Sequence, residues 1–105
     1  MSWIYLVCAG LVEIGWPVGL KMAQVPATRL TGITMAVAFL AVSGTLLWLA
    51  QRDIPMGTAY AVWTGIGAAG TFALGVLLYG DPTTFARFVG VALIIAGVIT
   101  LKLAH

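Results

Sequence analysis

The stretch Leu30-Thr-Gly-Ile-Thr-Met-Ala-Val-Ala-Phe-Leu-Ala-Val-Ser-Gly-Thr-Leu-Leu-Trp-Leu-Ala50 carries no ionisable side chain and has close to the roughly 20 residues that cross a bilayer as a helix. It reads as a membrane span, and three further apolar runs of similar length lie around it. The approximate spans are residues 2–21, 30–50, 56–79 and 84–103. Pro26, Pro55 and Pro82 stand in the polar breaks between them, where proline and turn-forming residues end helices. No break leaves room for a soluble domain. The expectation is one all-α domain over residues 1–105, a four-transmembrane-helix integral membrane protein.

Composition points the same way. Of 105 residues, 62% are hydrophobic and only 8% charged. A small soluble body leaves much of its surface exposed and could not enclose that apolar excess, so lipid must cover it. The net charge of +2 comes from a few scattered groups with no clustered basic patch, which excludes nucleic acid as a partner. A single cysteine, Cys8, excludes an intrachain disulfide and a multi-cysteine metal site, and it reads as a small buried apolar residue. Neither metal nor cofactor is expected. The first run lacks a basic n-region, carries a carboxylate and has no convincing cleavage site, so it reads as a retained span rather than a signal peptide.

An even number of spans puts both termini on one side. Lys21, Arg29 and Arg87 then share one membrane face, and Arg52, Lys102 and the amino terminus share the other. The Lys/Arg bias that normally fixes orientation is close to nil, so insertion in both orientations is expected. Four thin helices also offer little interior for a polar substrate. A homodimer of oppositely oriented copies is the natural way to build one.

Glu13, near the middle of the first span, is the acidic residue placed well inside the membrane. A carboxylate there costs at least about 2.5 kcal/mol to insert and usually marks an ion or substrate pathway. Lipid surroundings disfavour its bare charge, so a proton or a cation should accompany it. The bland alternative is a hydrogen-bonded Glu that joins helices. Helical spacing puts Leu6, Ala9, Gly10, Trp16, Pro17 and Leu20 on the face of Glu13, so the carboxylate sits between small residues and an indole. Trp16 serves as an aromatic wall, as an N–H donor or simply as packing.

In the third span Tyr60 and Trp63 lie three apart on one face as candidate donors or cation liners, or as part of an aromatic belt. Gly65, Gly67 and Gly70 follow, and this density of glycine permits bending or close helix approach. Ser43 could bond a carboxyl, with back-bonding to its own helix as the alternative. Gly90 and Gly97, one heptad apart in the fourth span, form a smooth stripe suited to packing another helix.

Gly10-Leu-Val-Glu13-Ile-Gly-Trp16, Lys21 eight residues beyond the Glu, and Pro55-Met-Gly57-Thr-Ala-Tyr60-Ala-Val-Trp63-Thr-Gly65-Ile-Gly67 together closely resemble the small multidrug resistance family, and the resemblance covers the whole chain. It implies an antiparallel homodimer and proton-coupled export of cations through a shared site around two copies of Glu13. Trp16 looks like the guanidinium exporter subtype, since promiscuous drug exporters carry a small residue there. Ser43, Tyr60 and Trp63 match that subtype's binding positions, Gly90 to Gly97 matches the family's dimer stripe, and Lys21 matches a position at the end of the first helix. Pro17 departs from the pattern, which has a small residue such as Ala. Proline removes the N–H that would bond the carbonyl of Glu13, so the first helix should kink at the site.

The expected function is therefore a proton/guanidinium antiporter of the bacterial inner membrane, in which protons and cation compete for the paired Glu13 carboxylates. Gly65 and Gly67 would supply the bend that alternates access. No bond is made or broken, so the chain is not read as an enzyme. Two alternatives stand beside it: the same machinery with a broader range, exporting quaternary ammonium and other lipophilic cations, and, in a different class, a non-transporting subunit of a heterodimer. The near balance of Lys and Arg argues for self-pairing over an obligate partner.

Overall fold

The computed structural model describes residues 1–104, and every regular element in them is helical. The first span is divided into α1 (Ser2–Glu13) and α2 (Gly15–Met22); a 3-10 turn at Pro26–Thr28 then leads into α3 (Arg29–Ala50), followed by α4 (Met56–Tyr79) and α5 (Phe85–Ala104). Counted as spans, four helices among the described residues are long and apolar enough to cross a membrane. The chain is thus an all-α, four-span membrane protein.

Each end has a local cause. Arg29 Nε and the Thr28 hydroxyl donate to the carbonyls of Ala23 and Met22, at 3.1 and 2.7 Å, capping the last turn of α2. Gly80, with φ of 66°, takes the left-handed conformation that turns the chain out of α4. The Thr84 hydroxyl accepts from the Arg87 N–H at 3.3 Å and starts α5.

The first span breaks as the proline predicts, though not as a sharp change of backbone conformation. Pro17 has no N–H for the carbonyl of Glu13, and the ladder is interrupted one residue later, at Ile14. Ile14 keeps right-handed helical angles, φ −57° and ψ −31°, and its N–H donates to the Leu11 carbonyl at 3.3 Å, a tightened 3-10 bond.

The helices make a thin slab of 45 × 34 × 16 Å. A helix with side chains is about 10–12 Å across, so most of the slab is little more than one layer deep. α1 and α2 pack on α3, α1 also packs on α4, and α5 packs chiefly on α4. The α2–α3 approach is close because both contact points are glycine: a Cβ at Gly19 would lie 2.6 Å from the Gly32 carbonyl oxygen.

Burial inside the protomer is correspondingly small and lies towards one end. Leu6, Ala50, Ile54, Ala59 and Val62 form the core cluster beside the second loop. There the Ser2 hydroxyl donates to Asp53 Oδ2 at 2.6 Å and Lys102 Nζ stands 4.9 Å over the Trp3 ring. At the other end a cavity of about 150 Å³ opens between Pro17, Lys21, Thr71, Tyr79 and Asp81. No described residue of α5 is buried. Cys8, expected to be buried, is exposed on the protomer surface. The face of α1 that turns inward is that of Leu6, Ala9 and Gly10, and Cys8 lies about 200° from Leu6 at 100° per residue.

Candidate functional site

Glu13 ends α1 and Trp16 is the second residue of α2, so the pair straddles the interrupted turn. Residues three apart on a helix are neighbours, and the backbone stays helical enough at Ile14 to keep them so. The Trp16 Nε1–H donates to Glu13 Oε1 at 2.7 Å. A side-chain bond thus spans the place where the backbone ladder is tightened. Glu13 and Trp16 are both half-buried, and the donor on the carboxylate is a neutral indole, not a cation. Pro17 follows directly and lines the cavity that also holds Lys21, with the Lys21 Nζ 5.6 Å over the Tyr79 ring.

The other carboxylate oxygen, Oε2, lies against α4. A Cβ built on Gly67 would collide with Oε2 and stand 3.0 Å from the carboxyl carbon. Gly10, one turn before Glu13, has the same relation to Ile66, whose Cβ would be 2.7 Å away. α1 and α4 therefore approach closely at two glycines, each of which takes a side chain of the other helix.

Ser43 and Trp63 form a separate linkage. The Ser43 hydroxyl, 0% exposed, donates to the Ala9 carbonyl on α1 at 2.6 Å and accepts from the Trp63 Nε1–H at 2.7 Å. Neither sequence alternative for Ser43 describes this, because the acceptor is the backbone of another helix. α1, α3 and α4 are tied together one helical turn from Glu13, with each polar group satisfied. Tyr60 tilts against Trp63, ring centroids 5.4 Å apart at 56°, and is 56% exposed on the protomer.

The glycines singled out in the sequence divide by surroundings. α4 runs unbroken through Gly65 and Gly67, and both are buried. Gly65 faces Val98 and Ile94 of α5 rather than the carboxylate. At Gly90 and Gly97 a built Cβ meets nothing within 4 Å, so the stripe lies open on the protomer surface. Sequence reasoning did not find the seating of Glu13 on Gly67, nor Phe39, whose ring lies against Gly15 just after the break. Helical spacing in one segment carries no signal for partners on another.

The profile of the Small Multidrug Resistance protein family matches residues 1–94. Over 104 residues the chain is 49% identical to a protein of Yersinia pestis named "Guanidinium exporter", with 99% of each chain covered. A protein of the same name from Salmonella typhimurium is also 49% identical, covering 99% of this chain and 98% of its own. The one from Proteus vulgaris is 46% identical with 99% of each covered.

Proposed function

The chain belongs to the small multidrug resistance family, a family of small multi-pass membrane transporters, and from that premise we propose that it is a proton-coupled antiporter exporting guanidinium and small substituted guanidines. It works as an antiparallel, dual-topology homodimer in the bacterial inner membrane. Two copies of Glu13 hold either protons or the cation.

The observation that carries this reading is the Trp16 bond to Glu13. It holds Oε1 on the Trp16 side and leaves Oε2 to a ligand, and a planar cation with a fan of N–H donors suits such a carboxylate acceptor. Bulk at this point also works against larger cations, because an indole occupies the space beside the acid. The relatives named as guanidinium exporters, alike along nearly the whole chain, support the same substrate. The site residues proposed are Glu13 for proton and cation, with Trp16, Pro17, Gly10, Ser43, Tyr60 and Trp63 around it.

Competition makes the coupling. A cation on the paired carboxylates excludes the protons and protons exclude the cation, so a proton gradient drives export without any chemical step. The test is transport by the purified chain alone in proteoliposomes carrying an imposed pH gradient. Guanidinium should leave against its gradient while tetraalkylammonium ions do not. Equal export of quaternary ammonium ions would replace guanidinium with the promiscuous reading, and no transport by the chain alone would favour a subunit that needs a second polypeptide.

A further inference from the structure

We propose that Gly67 is a positioning residue for Glu13: its missing side chain is a seat that holds Oε2, the oxygen that takes the proton or the guanidinium N–H. The inference rests on the proposed function for its ligand, though not for its geometry.

The two oxygens of Glu13 are held differently. Oε1 faces the Trp16 indole N–H, which can only donate, so Oε1 must accept. The proton that competes with the cation therefore belongs on Oε2. That oxygen lies where a Cβ of residue 67 would stand.

Nothing in the backbone of α4 requires glycine there. The helix is unbroken from Met56 to Tyr79, and among the described residues the positive-φ glycine is Gly80. Alanine would suit a helix interior better by propensity. The space is what requires the glycine. One turn further along, Gly70 repeats the arrangement, with the Ile14 Cδ1 seated where its Cβ would be. Glu13 and Ile14, the consecutive residues at the break in the first span, thus dock into two bare positions of one helix. The pair sets the register of the interrupted turn against α4.

A methyl group at position 67 would meet the tip of a flexible side chain, so the carboxylate, rather than the fold, should yield. Its displacement would pull Oε1 from the Trp16 N–H and turn Oε2 away from the ligand. Gly67→Ala should weaken guanidinium binding at least tenfold and change the pH at which protons displace it. Shortening the acid by one methylene withdraws it from the new methyl group. Glu13→Asp should therefore cost less affinity in Gly67→Ala than in the parent.

The experiment uses the full chain reconstituted in liposomes, with two readouts: guanidinium binding across pH, and titration of the Glu13 carboxyl followed by infrared or NMR signals without any substrate. A shift of the carboxyl titration in Gly67→Ala, with partial rescue by Glu13→Asp, supports the seat. Parental titration and affinity in Gly67→Ala, or losses that simply multiply in the double variant, overturn it. Should the parent bind no guanidinium, the substrate reading fails while the carboxyl titration still decides the seat. If Gly67→Ala does not fold, recovery of folding in the double variant supports the proposal. Failure of the double variant, with Glu13→Asp alone folding, shows that the glycine serves helix packing only.

Discussion

The indole of Trp16 holds the one carboxylate of the membrane interior by a single N–H, and removing that donor while keeping an aromatic ring isolates its contribution. A hydrogen bond to a charged group is worth about 1.5–3 kcal/mol net. Trp16→Phe should thus weaken guanidinium binding by roughly 10- to 100-fold, at about 1.4 kcal/mol per factor of ten. Isothermal titration at fixed pH measures it, and a change below twofold would show that Trp16 acts only as a wall. Glu13→Gln should abolish both cation binding and coupled transport, whereas Glu13→Asp should keep a weaker activity. Coupled transport by the Gln variant would place the proton elsewhere. Ser43, besides its proposed place around the site, ties three helices together in this conformation. Ser43→Ala leaves the Trp63 N–H unpaired and removes the tie to the Ala9 carbonyl, which keeps its own helix bond, and this should lower unfolding stability by about 1–3 kcal/mol in a detergent melt. At this scale the Glu13 and Trp16 pair was legible, because spacing of three on a helix brings two side chains together whatever surrounds them. The Ser43 linkage was not, since the relative depth of three helices decides it. Cys8 misled for the opposite reason: an apolar residue in a thin membrane protein has more lipid-facing than buried places to occupy.

Among the elements, the divided first span was the most readable, since a missing N–H at Pro17 names the carbonyl that it leaves open. Four helices follow from long apolar runs closed by proline and loop residues, a signal that bilayer thickness enforces. What spacing could not supply is the partner of each helix, as the glycines of α4 illustrate: Gly65 serves α5 and Gly67 serves α1. Pro17→Ala should restore the bond to the Glu13 carbonyl and close the interruption at Ile14. Proline in a helix interior costs about 3 kcal/mol before neighbours compensate, so the variant should melt higher. Its preference between guanidinium and substituted guanidines should also move, because the carboxylate is carried by the turn that changes. Hydrogen exchange at the residue 17 amide reports the repair, and a binding panel reports the consequence. An intact panel with a protected amide would show that the break is merely tolerated.

At the scale of the whole molecule, the open face of α5 and the near balance of basic residues between the two membrane sides both bear on assembly. Gly97→Leu adds bulk where a single copy has no neighbour within 4 Å, so it should leave that copy's helices intact and break the proposed dimer. Crosslinking in membranes would register the loss; a dimer of parental strength would move the interface elsewhere. Reporters fused to either terminus should find both orientations in one population, and a single orientation without a second chain would end the dual-topology reading.

The 16 Å depth of the slab has a last consequence. A sheet of helices so shallow wets both broad sides with acyl chains, so an isolated copy holds Glu13 with no second wall. If the site is shared between two copies, as proposed, it forms only by a collision within the plane of the bilayer, and its abundance follows the square of surface density at low coverage. Diluting the protein with added lipid, at constant ligand, should erase binding capacity long before any helix unfolds. On that proposal, cells that express few copies would lose export disproportionately, and gene dosage would set how many sites exist at all.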